Sequence, residues 1–325
     1  MQNDPGDAGP DEARRRLFTT MYTIRLFEEE VTRLRAAGDV VGSVHLCNGQ
    51  EAIYAGTCAA LDLTRDIVFP TYRGHGWTIA CGAPIEDMFA ELLGRESGLN
   101  GGRGGSAYLS APQWGMYGEN SIVGAGAPIA TGAALAATFD NSGRVAVAAF
   151  GDGALNQGAV HEAMNFASIR HLPVIFLVEN NRYSELTVTA TMVASDRLFK
   201  RSSAYGFPGV RIDGNDVGAV RATVAEAARR ARAGEGPVLI EAMTERLVGH
   251  YIGDAEQYRE PGELDRARET EPLVRCAREL LDAGVTESEL EALKEQVRRD
   301  VAEASRRALA SPLASPDTVL EHLYA

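Results

Sequence analysis

Residues 145–153, VAVAAFGDG, and residues 173–181, PVIFLVENN, are two apolar runs that each stop abruptly on glycine, acid or amide residues. Neither run alternates, so 145–150 and 173–178 read as strands covered on both faces. The segment between them, 154–171, has the length and composition of a helix, with Leu155, Ala159, Ala163, Phe166 and Ile169 close to one face. A strand–helix–strand unit of this length makes its two strands parallel. Asp152 and Asn181 then leave the sheet at the same carboxyl edge, where open α/β sheets bind their ligands.

The chemistry follows from the groups that meet there. Gly151 and Gly153 let the backbone turn and approach a diphosphate, and a helix beginning at Ala154 offers it free amides. Asp152 points a negative charge at the same place, so a cation is needed between carboxylate and diphosphate. Asp152, an Asn181 side-chain oxygen, diphosphate oxygens and water make an oxygen-rich shell suited to Mg²⁺. A dinucleotide site of the Rossmann type is the competing reading, with Glu179 as the ribose-binding acid. It lacks the third glycine, where Asn156 stands, and leaves Asp152 facing the pyrophosphate unshielded.

GDG, a gap of under thirty residues and NN together resemble the thiamine diphosphate motif. The surrounding words, GDGALNQGAVHEAMNFA and PVIFLVENNRY, are similar to the alpha chains of two-component 2-oxo acid dehydrogenases, the pyruvate and acetoin dehydrogenase group. The likeness extends over GSVHLCNGQEA (42–52), PTYRGHG (70–76), NGGRGGSAY (100–108), NSIVGAGAPIATGAALA (120–136) and GHYIGDAEQYR (249–259), and so covers about 14–325. It implies an α/β fold, a parallel sheet flanked by helices that binds the diphosphate of thiamine diphosphate, with helical N- and C-terminal segments. It also implies Mg²⁺ held by Asp152, Asn181 and the main-chain carbonyl of Tyr183.

Composition limits the alternatives. The chain of 325 residues has a formal charge of −13, which argues against a nucleic-acid partner. No apolar stretch is long enough to span a bilayer, and MQNDPGDAGPDEARRR has no apolar secretory core, so a cytoplasmic location is expected. Cys47, Cys58, Cys81 and Cys276 show no metal-ligand spacing and read as reduced thiols.

Along the chain, 1–10 reads as disordered, 11–262 as the cofactor-binding α/β domain and 263–325 as a helical segment packed on it. Leu17, Met21, Ile24, Phe27, Val31 and Leu34 recur at helical spacing until Gly38. GQEAIYAGTCAAL predicts a closely packed small-residue helix, 66–70 a short strand, 124–139 a helix in close contact with another surface, and 237–243 a further strand. The glycine-rich stretch 98–106 imitates a linker, but the resemblance places it inside the domain, beside the entrance to the site.

Three histidines, His45, His75 and His250, sit in glycine-containing loops. The resemblance directs His45 and His250 toward the reacting end of the cofactor or its diphosphate, as catalytic groups, and leaves His75 undecided. It makes Tyr72 and Arg73 diphosphate contacts, for which a guanidinium fork is well shaped. Ser121 and Val123 match positions that contact the aminopyrimidine through backbone groups. Gly151, Asp152, Gly153, Ala154, Asn181, Tyr183 and His250 complete the cofactor set.

Only half of a thiamine diphosphate site is visible here. The pyrimidine domain and its activating glutamate belong, by resemblance, to a beta subunit in an α₂β₂ heterotetramer, with a lipoyl acyltransferase as a possible further partner. GHYIGDAEQYR and the NN-x-Y-x-E-x-T pattern of NNRYSELT favour acetoin-type chains, with pyruvate the other donor. Transfer of the two-carbon unit to a sugar or other carbonyl, and a non-catalytic scaffold chain, are the alternatives. Tyr251 stands where mitochondrial enzymes carry a phosphorylated serine, so control by a serine kinase at that place is not expected.

Overall fold

The computed structural model describes residues 10–321; of the stretch 1–10 expected to be disordered, 1–9 lie outside the described residues and Pro10 opens the first helix. In chain order the regular elements are α1 (Pro10–Ala37), α2 (Glu51–Cys58), β1 (Ile67–Phe69), α3 (His75–Ala80), α4 (Ile85–Leu92), α5 (Gly126–Asp140), β2 (Ala146–Gly151), α6 (Gly158–Ile169) and β3 (Val174–Asn180). A two-stranded hairpin, β4 (Tyr183–Ser184) and β5 (Thr187–Val188), follows, then β6 (Gly209–Asp213), α7 (Val217–Arg232) and β7 (Val238–Met243). The chain continues into α8 (Glu263–Glu269), α9 (Pro272–Asp282) and α10 (Glu287–Ala310).

The apolar runs form a five-stranded, all-parallel sheet in the order β1-β2-β3-β7-β6. Because side chains alternate along a strand, each run feeds two cores. Val147, Ala149, Ile175, Leu177 and Ile240 face a cluster shared with α1, α2, α7 and α10. Ala146, Ala148, Phe150, Phe176, Val178 and Leu239 face the opposite cluster, built with α5 and α6. This double coverage is why the runs are apolar throughout rather than alternating.

The unit between β2 and β3 differs in detail from its sequence reading. Asp152–Asn156 form a 3₁₀ turn, Gln157 is extended at φ −74° and ψ 136°, and α6 begins only at Gly158. Its buried face is Val160, Ala163, Met164 and Ala167, whereas Phe166 and Ile169 are exposed. The delayed start rotates the helix relative to the face expected from 154–171.

Helix α5 buries Ala127, Ala130, Thr131, Ala134 and Ala137, the close approach that its small side chains predict. The glycine-rich stretch is no linker. Glu91, fully buried on α4, accepts the backbone N–H groups of Asn100 (2.7 Å), Gly102 (2.9 Å), Gly104 (2.6 Å) and Gly105 (3.2 Å). One carboxylate thus gathers the loop around itself, as an anion gathers a nest of amides. All four cysteines are buried and unbridged. Among the described residues no helix is long and apolar enough to cross a membrane.

Candidate active site

The register of the sheet assembles the site. Gly151 pairs with Glu179, Glu179 with Ala242 and Asn180 with Met243, so β2, β3 and β7 end level. The turn after β2 delivers Asp152, the residue after β3 is Asn181, and the segment after β7 carries Arg246 and His250. A pocket opens at this edge, walled by Gln50, Tyr72, Arg73, Val123, Gly151–Ala154, Glu179, Asn181, Tyr183–Glu185, Arg246 and His250.

Asp152 is almost completely buried and takes a hydrogen bond from Thr189 Oγ1. Among the described residues it has no basic partner within ion-pair distance, and burial pushes its carboxyl above the ordinary range. Thr189 reaches it because the hairpin β4–β5 folds the chain back over the turn. Asn181 donates from Nδ2 to Gln50 Oε1 (3.0 Å) and accepts the Tyr183 N–H at Oδ1 (3.2 Å), which leaves that oxygen acceptor capacity. The Tyr183 hydroxyl is committed elsewhere, to Glu263 Oε2 (2.6 Å).

The opposite wall is basic. Arg73 donates to the carbonyls of Leu46 and His250, the latter at 2.9 Å. Arg246, also buried, donates to Tyr258 Oη (2.7 Å) and lies over the Tyr183 and Tyr258 rings at 5.8 and 6.0 Å. Neither guanidinium has a carboxylate partner among the described residues. A buried carboxylate without a cation therefore faces two guanidiniums without an anion. That pairing of deficits suits a cation bridging Asp152 to a polyanion. Among the described residues no three His, Cys, Asp or Glu could hold a metal by themselves, so such a cation needs ligand oxygens as well.

His45 is not in the pocket wall itself but packs against two wall residues, its ring centroid 4.9 Å from that of His250 and 4.5 Å from that of Tyr72. Burial, then the positive charge of Arg73, pushes His45 down to about 3 and His250 to about 4. Both imidazoles are neutral at physiological pH, and His45 Nδ1 is buried without a hydrogen-bond partner. His75 is different: it is locked between Glu28 Oε2 (2.8 Å) and Ser106 Oγ (2.9 Å), outside the pocket wall. It is a structural residue.

The two glycines of the turn serve it in different ways. Gly151 has an extended backbone at φ −72°, and an added Cβ there would meet nothing within 4 Å, so glycine leaves open space in the wall. A Cβ on Gly153 would come within 2.2 Å of Ser184 Oγ, so this glycine admits β4 to the turn. Ala154 sits in the 3₁₀ turn rather than at a helix start. Val123 belongs to the wall, and Ser121 lies two residues outside it, half-buried.

Sequence reasoning missed Thr189, Gln50 and Arg246. Gln50 lies within a quoted motif and Arg246 lies four residues before His250, but neither position announces its burial. Glu179, the ribose-binding acid of the dinucleotide reading, is engaged at both oxygens by the core donors Trp77 Nε1 (2.9 Å), Tyr54 Oη (3.0 Å) and Gln50 Nε2 (2.7 Å). Its carboxylate is thus committed to holding the core together, which weakens the support for that reading.

Residues 19–317 match the family model described as the dehydrogenase E1 component. The chain is 40% identical to the alpha subunit of acetoin:2,6-dichlorophenolindophenol oxidoreductase from Cupriavidus necator, over 95% of this chain and 93% of that one. Its counterpart in Bacillus subtilis is 39% identical, over 95% and 92%. The pyruvate dehydrogenase E1 component subunit alpha of Rhizobium meliloti is 39% identical, over 91% and 85%. The chain belongs to the dehydrogenase E1 component family.

Proposed function

We propose that the chain is the alpha subunit of a thiamine diphosphate- and Mg²⁺-dependent enzyme that takes a two-carbon unit from acetoin or pyruvate and passes it to a lipoyl acceptor. The observation that carries this reading is the pairing of deficits in the pocket: buried Asp152 lacks a cation, and Arg73 and Arg246 lack an anion. Asp152, Asn181 Oδ1 and the Tyr183 carbonyl would hold the metal. Arg73 and Arg246 would hold the diphosphate, with Gly151 leaving room for it. When bound, thiamine diphosphate supplies a nucleophilic carbon and an electron sink.

The chain's own residues then orient the donor and move protons. Neutral His45 and His250 can each accept a proton or hand one on beside a reacting carbonyl. Their depressed basicity makes them strong donors once protonated. The domain that closes over the pyrimidine, with its activating glutamate, is assigned to a beta subunit in an α₂β₂ assembly, because the relatives are named as alpha subunits. Residues 11–262 would form the cofactor-binding domain, and 263–325 would pack on it. The exposed Ile122 and Val123 at the mouth suit such a covering partner.

The test is calorimetric titration of thiamine diphosphate with Mg²⁺ into the assembly co-expressed with its beta chain. Asp152→Ala should abolish Mg²⁺-dependent binding. Wild-type affinity in that variant would overturn the metal–diphosphate assignment.

A further inference from the structure

Only the oxygen end of an amide can bind a cation, and the two ends of an asparagine side chain have nearly the same shape. Asp152 shows oxygen at either end, but Asn181 must be held the right way round to be a ligand. Two contacts hold it: Nδ2 donates to Gln50 Oε1 at 3.0 Å, and Oδ1 accepts the Tyr183 N–H at 3.2 Å. Gln50 is itself an amide with two similar ends, so its own orientation has to be fixed from elsewhere.

It is fixed from the core. Trp77 Nε1, which can only donate, bonds Glu179 Oε1 at 2.9 Å. The other oxygen, Oε2, accepts the Tyr54 hydroxyl at 3.0 Å and Gln50 Nε2 at 2.7 Å. Gln50 Nε2 also donates to Tyr54 Oη at 3.0 Å, which leaves the phenol hydrogen for Glu179. With its nitrogen turned to Glu179, Gln50 presents Oε1 to Asn181, and Asn181 in turn presents Oδ1 to the pocket. Trp77, Tyr54 and Gln50 are fully buried, and Glu179 and Asn181 nearly so, so the joints between them are shielded from water. In such a place two donors facing each other both go unpaired, and each joint therefore fixes the next. The relay runs from α2 and α3 through the end of β3 to the pocket.

We propose that Glu179, acting through Gln50, is a positioning residue that turns the Asn181 oxygen toward a divalent cation. This rests on reading the pocket as a metal–diphosphate site. Position 179 requires a group that accepts at both ends. Glutamine there has the same shape but one donor end. With its oxygen held by Trp77, its nitrogen faces Gln50 Nε2, and the mismatch is relieved with least loss where the relay is loosest, at the 3.2 Å contact with Tyr183. Gln50 and Asn181 then both turn over, and a nitrogen meets the cation.

The test measures Mg²⁺ affinity by calorimetry at saturating thiamine diphosphate, in the assembly co-expressed with the beta chain. Glu179→Gln should weaken Mg²⁺ binding about 10-fold, the lower end of what losing a residue behind a metal ligand costs. Gln50→Leu should weaken it similarly, and Glu179→Gln added to Gln50→Leu should change nothing further, since the relay is already cut. In either single variant, added Asn181→Asp should restore the affinity, because a carboxylate shows oxygen to the cation whichever way it is held. If lost charge at position 179 were the cause, Glu179→Gln would weaken binding equally with and without Gln50, and that result overturns the proposal. Wild-type Mg²⁺ affinity in both single variants, or no restoration by Asn181→Asp, overturns it too, while Asp152→Ala still abolishes binding. A wild-type assembly without Mg²⁺-dependent cofactor binding overturns the metal–diphosphate reading and this proposal with it.

Discussion

Glu119→Gln should stabilise the chain, and by an amount that grows with pH. Glu119 is buried beneath the loop that carries Arg73 and His75. One oxygen, Oε2, accepts the Leu109 N–H at 3.0 Å, and Oε1 has no partner. The fit is tight, since a Cβ on Gly74 would come within 2.2 Å of Oε1. The charged groups nearby are His75 and Glu28, which form a buried pair at 2.8 Å. Burial alone would raise Glu28 and lower His75, but each other's charge and hydrogen bond, joined by Cys47 at Glu28 and by Glu119 and Ser106 at His75, together reverse both shifts and favour the ion pair. Glu119 has no such partner to itself. Burial pushes it from 4.5 to about 8, against the attraction of His75. Its carboxyl is therefore protonated in the folded chain at pH 7 and ionised in the unfolded one. Folding must take up that proton, at about 1.4 kcal/mol per pH unit above the unfolded value, or about 3 kcal/mol at pH 7. This contribution is absent below pH 4.5 and grows as pH rises to about 8, where it levels off. Glutamine keeps the acceptor for Leu109 and cannot ionise. The stability difference between variant and wild type should widen by roughly 4 kcal/mol from pH 5 to pH 8. Urea unfolding of the ligand-free chain, followed by the fluorescence of buried Trp77, measures it at each pH. Parallel pH profiles for the two proteins would refute the reasoning.

Gly153→Ala should destabilise the turn by about 1–3 kcal/mol, because its Cβ meets Ser184 Oγ at 2.2 Å and Ser184 Cβ at 2.6 Å. Adding Ser184→Gly should recover most of the loss in thermal unfolding, and no recovery would show that the clash is not the cause. His45 and His250 titrate below their ordinary 6.5, at about 3 and about 4, so the stability they allow is complete above pH 6.5 and is lost as pH falls. In the ligand-free chain His250→Gln should shift the acid transition, followed by circular dichroism, to lower pH. An unmoved transition would count against a neutral His250.

Local pattern was enough to read the two central strands, since a run covered on both faces must be apolar throughout. The long first helix was equally legible, because buried apolar residues recur at helical spacing from Phe18 to Leu34. Strand β6 was not, because it is an edge strand with no fully buried residue, carrying Arg211 and exposed Asp213, and so lacks an apolar run. The face of α6 was misjudged because one extended residue, Gln157, resets the helical phase, and periodicity taken across that break blends two elements.

Spacing along strand and turn determined the parallel sheet, its carboxyl edge and the arrival there of Asp152 and Asn181, whereas Arg73, His45 and His250 were directed to the site by family resemblance. The tertiary structure alone decided what those groups can do. Whether a carboxylate has a counter-ion depends on what other segments bring to it. Asp152 meets Thr189 and no cation, Glu179 meets three donors, and His75 meets Glu28. Glu119 and Glu185 are the same residue type, yet one is buried and protonated and the other is free at the pocket mouth. Burial and charge at a site are sums over residues distant in the chain, and no local stretch of sequence contains them.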